Sequence, residues 1–171
     1  KKNLNHKEKK FKLEVAFNKK NYLVSIVNTV PKEKMFNNMY PYKSSESKTM
    51  RKSFKDLTTK VKKRFKPNFI IEIGSNDGVF MKNFNKKNIV GVEPCKNLAK
   101  LTKNINYTTY SEYWSMKLAR KITINKKAEL IYSANTLSHI KSLNEIFRAI
   151  NYSLSEKGVL ILEDPSLLKC I

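Results

Sequence analysis

Short apolar runs alternate with lysine-rich polar stretches, and their rhythm changes near residue 69. Phe69 to Ile73 is an apolar run closed by Gly74, which predicts a buried parallel strand. Asn88–Glu93, a weak Ile105–Thr108, Glu129–Ser133 and Gly158–Glu163 predict four more strands. Predicted helices fall between them at Val79–Phe84, Lys96–Lys103, Tyr113–Ile122 and Leu143–Leu154. The last carries Leu143, Ile146, Phe147, Ile150 and Leu154 on one side. Strands and helices alternating at this spacing predict an α/β fold, a Rossmann-like parallel sheet with helices on both faces.

The front of the chain is less regular. Met50, Phe54, Leu57, Val61 and Phe65 recur at helical steps, predicting a helix that starts at Ser47 or Lys48 and ends at Pro67. Phe11–Phe17 and Tyr22–Val27 flank Asn18-Lys19-Lys20-Asn21, the pattern of a small hairpin with a polar turn. Residues 1–12 read as a disordered basic lead, and 31–47, with Pro31, Pro41 and a serine cluster, as loop. The expected division is a basic N-terminal segment over 1–47 and a ligand-binding domain over 48–171.

Composition narrows the picture. A chain of 171 residues with 40% hydrophobic content accommodates one cored domain and a small appendage. No run approaches the ~20 apolar residues of a bilayer span, so no membrane partner is expected. The charged Lys1–Lys12 lacks the apolar stretch of a signal peptide. Cys95 and Cys170 offer neither a staple pattern nor metal-ligand spacing, so no metal and a reducing cytoplasm are expected. The net charge is +21. Residues 1–70 hold 20 Lys/Arg against 5 Asp/Glu, and residues 71–171 hold 15 against 9. A phosphate-binding basic arm is one reading. Only 4 of the bases are arginine, however, while asparagine reaches 19. That fits a compositional drift better than a selected nucleic-acid face, because arginine's fork is what phosphate recognition favours.

The candidate chemistry sits at Glu72-Ile73-Gly74-Ser75-Asn76-Asp77-Gly78, between the first parallel strand and the next element, where open α/β sheets bind ligands. Gly74 permits a sharp turn and Gly78 a close approach to the strand. Ser75, Asn76 and Asp77 can hydrogen-bond a charged amino-acid moiety. Glu93, ending the second strand, is placed to accept from both ribose hydroxyls of a nucleoside. A dinucleotide loop needs a glycine where Asn76 stands, and Asp77 repels pyrophosphate. A cationic sulfonium bearing an ammonium suits the acidic loop, favouring S-adenosylmethionine over NAD. A turn glycine needed only for geometry, with Glu93 merely solvated, is the competing reading.

These segments, with Gly91-Val92-Glu93-Pro94, Ala134-Asn135-Thr136-Leu137-Ser138-His139-Ile140 and Gly158-Val159 to Glu163-Asp164-Pro165, resemble class I methyltransferases. More narrowly they resemble the sugar C-methyltransferases, which methylate a carbon of nucleotide-linked keto-deoxysugars. Tyr40-Pro41-Tyr42-Lys43-Ser44-Ser45-Glu46-Ser47 resembles that family's upstream segment. The resemblance implies that Glu72 and Gly74 to Gly78 surround the methionine part of the cofactor and Glu93 its ribose. It places Glu112 by the adenine, and Asn135 and His139 on the pocket floor, and implies a small-molecule acceptor of the nucleotide-linked sugar class. Bland alternatives stand beside these roles: Glu112 as an acid near a helix start, His139 as a structural histidine, Tyr42 as a packing aromatic rather than a substrate lid.

Two departures from that family bear on activity. Where it resembles a zinc-knuckle protein, this chain reads Asn18 and Asn21 in place of a cysteine pair, and asparagines do not replace thiolates for zinc. The family's Glu-His catalytic segment lies beyond Glu163-Asp164-Pro165, leaving His139 as the in-chain base. The chain therefore reads as truncated, with a non-catalytic cofactor-binding domain and a nucleic-acid methyltransferase as the rival functions. A sheet edge left bare predicts self-association.

Overall fold

The structure, a computed structural model, describes residues 10–166. Most of the basic lead, with His6 and Cys170, lies outside the described residues.

The hairpin forms from β1 (Val15–Phe17) and β2 (Val24–Ile26), antiparallel with Val15 opposite Ile26 and Phe17 opposite Val24. The stretch expected as plain loop contains one helical turn, α1 (Lys32–Met35), and a 3-10 turn at Ser44–Glu46. Helix α2 (Lys48–Phe65) is capped as expected: the Ser47 hydroxyl accepts from the Met50 N–H, and Lys66 turns left-handed (φ 45°) just before Pro67. Its stripe buries Phe54 and Val61.

The remaining elements are β3 (Ile70–Ile73), β4 (Ile89–Val92), α3 (Lys96–Lys103), β5 (Thr108–Tyr110), α4 (Met116–Ile122), β6 (Ala128–Ala134), α5 (Leu143–Ser153) and β7 (Leu154–Glu163). The strands pair in parallel in the order β5-β4-β3-β6-β7. Central β3 is buried throughout, and its alternation divides the core between the two faces of the sheet. Ile71 and Ile73 join Trp114, Leu118, Ile146 and Ile150 under α4 and α5. Ile70 joins Phe54, Val61, Phe80, Phe84 and Tyr132 under α2. There the Phe80 and Tyr132 rings stack at 4.1 Å between centroids.

Four boundaries differ from the sequence reading, and in one the last strand starts at Leu154, four residues before Gly158, directly where α5 ends. Val79–Phe84 makes only a 3-10 turn at Met81–Asn83, because the Asn83 amide donates to the Val79 and Phe80 carbonyls that a helix would use. The third parallel strand starts at Thr108 rather than Ile105, since Asn106 turns left-handed (φ 64°) ahead of it. Helix α4 begins three residues later than expected because the Ser115 hydroxyl caps it, accepting from the Leu118 N–H.

Candidate functional site

The carboxyl ends of β3 and β4 are locked together by the glycine loop. The Gly74 and Ser75 N–H groups both donate to the Val92 carbonyl, at 2.8 and 3.1 Å, and Gly78 N–H donates to the Ser75 carbonyl. Gly74 (φ 76°) and Gly78 (φ 83°) hold conformations that L side chains resist, and Asn76 (φ 50°) is left-handed as asparagine tolerates. A Cβ on Gly74 would lie 2.0 Å from the Thr136 hydroxyl oxygen, so the loop after β6 rests directly on this glycine. Gly91 serves the loop from below: a Cβ there would lie 2.7 Å from the Ser75 hydroxyl. The sequence pattern marked neither Thr136 nor Gly91 for these roles; only the register that puts Gly91 beside Glu72 reveals the second.

Three carboxylates gather at this end in a chain with 14 acids against 35 bases. Glu93 accepts the Asn76 N–H at 2.8 Å and the Cys95 N–H at 2.9 Å, one on each oxygen. Burial raises its pKa against the opposing pull of those two N–H groups. Glu72 is pushed well above the usual carboxylate range, chiefly by burial and further by the nearby charges of Glu93 and Asp77, despite an N–H bond from Met81. Burial and Glu93 together push the neighbouring Cys95 thiol up to about 12. Asp77 is 2% exposed and accepts the Ser45 N–H at 3.2 Å together with the Ser45 hydroxyl. Among the described residues no cluster of His, Cys, Asp and Glu is arranged to hold a metal ion.

A strap formed by residues 32–47 crosses these strand ends. The Asn76 side chain accepts the Ser44 N–H at 2.9 Å and donates to the Tyr42 carbonyl, while Asn97, after β4, donates to the Tyr40 carbonyl at 2.9 Å. Beyond β5, the Tyr113 hydroxyl donates to the Phe36 carbonyl. Beyond β6, the His139 ring meets the Phe36 ring edge-on at 5.7 Å, and Phe36 also packs on Tyr40. Tyr40 is held above the ordinary phenol range by burial and by the nearby Cys95, Glu93 and Tyr42. No sequence signal singled out Phe36 or Asn97, and Tyr40 entered only as the first residue of the Tyr40–Ser47 segment.

Glu72, Gly74, Ser75, Asn76, Asp77, Gly78 and Glu93 thus meet in one place. The loop's polar side chains divide their tasks differently from the sequence reading, however: Asn76 and Asp77 hold the strap. Glu112 is exposed and lies 3.6 Å from the Lys121 ammonium. Asn135 is exposed and left-handed (φ 48°), and donates its N–H to the Glu163 carbonyl at 2.6 Å. His139 is exposed and Tyr42 is 50% exposed. Three fully buried polar atoms in and around the loop, Glu72 Oε2, Ser75 Oγ and Asn97 Oδ1, have no hydrogen-bond partner.

A parallel sheet of this order, with a glycine turn leaving its central strand and an acid closing the neighbouring one, is a Rossmann-like α/β fold. The chain belongs to the methyltransferase domain family, whose model matches residues 46–169. No protein of curated function matches it in sequence. Among solved structures it is similar to an S-adenosylmethionine-dependent methyltransferase from Clostridium acetobutylicum, at TM-score 0.56 and 19% identity over 70% of this chain and 52% of that one. It is also similar to DesVI of Streptomyces venezuelae, at TM-score 0.53 and 14% identity over 74% and 55%. A third is CalS10 of Micromonospora echinaspora, an amino pentose methyltransferase solved with S-adenosylmethionine bound, at TM-score 0.54 and 14% identity over 70% and 52%. These identities speak to the fold. The chain spans about half the length of the solved relatives it matches. Among the described residues no helix is long and apolar enough to cross a membrane.

Proposed function

We propose that this chain binds S-adenosylmethionine at the carboxyl ends of β3 and β4 and forms the donor half of a methyltransferase for a small-molecule acceptor. The observation that carries the reading is the convergence of Glu72, Asp77 and Glu93 in a strongly basic chain. Burial and the nearby charges of Glu93 and Asp77 raise the ionisation cost of Glu72, which a cation among them relieves. The unpartnered Glu72 Oε2, Ser75 Oγ and Asn97 Oδ1 suit a ligand carrying an ammonium and an adenosyl group. When bound, that ligand supplies an electrophilic methyl group. The chain's own work is to hold the donor: Glu93 keeps lone pairs free for two ribose hydroxyls after accepting its two N–H groups, and Gly74 lets backbone come close.

The acceptor side is read from the strap and the end of β6. His139, Tyr42 and Asn135 reach solvent there, as groups that face a substrate must. A carbon acceptor next to a ketone requires a base within hydrogen-bond reach of its proton, and His139 is the residue we place in that role. The resemblance to sugar C-methyltransferases makes a nucleotide-linked deoxysugar the acceptor class we favour. Among the described residues strand β7 pairs only with β6, and its other side supplies an edge for a further strand or a second chain.

Calorimetric titration with S-adenosylmethionine tests the reading. Binding in the micromolar range that weakens at least about tenfold in Glu93→Ala is expected, a loss matching one or two charge-assisted hydrogen bonds. Absence of heat with the parent protein rejects the cofactor; unchanged affinity in the variant removes Glu93 from the site.

A further inference from the structure

The distribution of charge, rather than its total, points to a second surface. No acidic residue occurs between Asp56 and Glu72, or between Asp77 and Glu93. The fold brings these two acid-free segments together on one face of the sheet, at its amino end. The Lys62 ammonium donates to the Asn83 carbonyl and sits 5.1 Å from the Phe84 ring centre. The Phe84 carbonyl in turn accepts the Tyr107 hydroxyl at 3.1 Å, and Lys86 covers the Tyr107 ring at 5.6 Å. Around this chain of contacts Lys63, Arg64, Lys66 and Lys87 are exposed. The nearest acids on the bordering elements are already engaged, Asp56 by Lys52 at 2.6 Å and Glu129 by Lys126 at 3.2 Å.

We propose that this patch docks the phosphate backbone of a nucleic acid, at a site separate from the donor crevice. A drift in composition leaves acids interspersed among the bases, yet the two segments that meet here, 57–71 and 78–92, hold none between them. The helix dipole accounts for bases in the last turn of α2, but not for Lys86 and Lys87, which lie in the 3-10 turn before β4. A membrane surface suits the patch less well: its rings Phe84 and Tyr107 are 7% and 8% exposed, and Ile105, 41% exposed beside Tyr107, is a lone apolar side chain among the bases. The patch and the glycine loop lie at opposite ends of β3, about 13 Å apart for four strand residues. We assign the nucleic acid a docking role on this patch, apart from the methyl transfer itself.

The test is fluorescence anisotropy of the intact protein with a fluorescein-labelled 20-nucleotide uridine RNA over a salt series. A logarithmic slope of about −2 to −4 is expected, from a few phosphates neutralised on a single strand. The charge swap Lys63→Glu/Lys66→Glu/Lys87→Glu should weaken binding at least about tenfold. The equal swap on the hairpin, Lys12→Glu/Lys19→Glu/Lys20→Glu, should change it less than about twofold. Should the first triple fail to fold by circular dichroism, Lys60→Glu/Lys82→Glu/Lys86→Glu replaces it with the same expectation. Equal losses from patch and hairpin swaps would mean a diffuse charge effect and overturn the site. So would no binding at low salt, or displacement of the RNA by phosphatidylserine vesicles. Retained S-adenosylmethionine binding in the patch variants separates this outcome from failure of the cofactor reading.

Discussion

Asn76 donates its backbone N–H to the Glu93 carboxylate at 2.8 Å, joining the left-handed point of the glycine loop to the end of β4. The same carboxylate holds the Cys95 N–H at the start of α3. One side chain therefore organises two chain reversals before any ligand arrives. Glu93→Gln keeps one acceptor oxygen and should cost about 1–2 kcal/mol, while Glu93→Ala strands both N–H groups and should cost about 2–4 kcal/mol. Urea unfolding monitored at Trp114 measures both. Equal and negligible losses would show that the two N–H groups find other acceptors.

Gly74 combines a positive φ with the nearest would-be Cβ contact among the glycines, 2.0 Å to Thr136. Gly74→Ala should destabilise by more than the ~1–2 kcal/mol of a left-handed L residue alone. Thr136→Ala in the same chain should recover the steric share but not the conformational one. A double-mutant cycle with no coupling would mean the β6 loop simply moves aside.

The raised Glu72 pKa has a signed consequence. In the folded chain this carboxyl binds its proton more tightly than in the unfolded one, where it titrates near the usual 4.5. Its contribution is most favourable below that value and is lost as pH rises through the folded pKa. Glu72→Gln should therefore be the more stable protein at pH 8 by about 1–3 kcal/mol, with the advantage vanishing near pH 4. The same variant should bind S-adenosylmethionine more weakly if the donor's ammonium answers the buried charge. Melting curves of both proteins from pH 4 to 8 decide the first point; parallel curves would refute it.

Asp77 ties the strap down through the Ser45 backbone and hydroxyl. Asp77→Ala should loosen residues 40–47 while leaving α2 and the sheet intact. Hydrogen exchange at Ser44 and Ser45 should accelerate at least about tenfold, with exchange in β3 unchanged. Uniform acceleration across the chain would instead assign Asp77 a general stabilising role.

Much of this architecture was legible from periodicity, and the reasons are physical. Apolar runs such as Phe69–Ile73 are buried on both faces, so pattern and environment coincide. Ser47 and Pro67 bound α2 by local chemistry, visible without tertiary contacts. The misses arose where one side chain overrode a propensity: Asn83 took the carbonyls of a would-be helix, and Ser115 moved a helix start. The loop glycines and Glu93 could be found because backbone geometry restricts those positions to few residue types. Phe36, Tyr40 and Asn97 could not, since their partners lie 57 to 103 positions away and any aromatic or amide reads alike in a string.

The strap is fastened by side chains that reach up from Asn76, Asp77 and Asn97, not by strand pairing. Its release thus demands the rupture of a few isolated bonds and no rearrangement of the sheet. On the proposed donor site, a ligand would enter where this short peptide peels back. Substitutions that cut those few bonds would be expected to speed exchange at the mouth while leaving the melting temperature of the domain largely where it was.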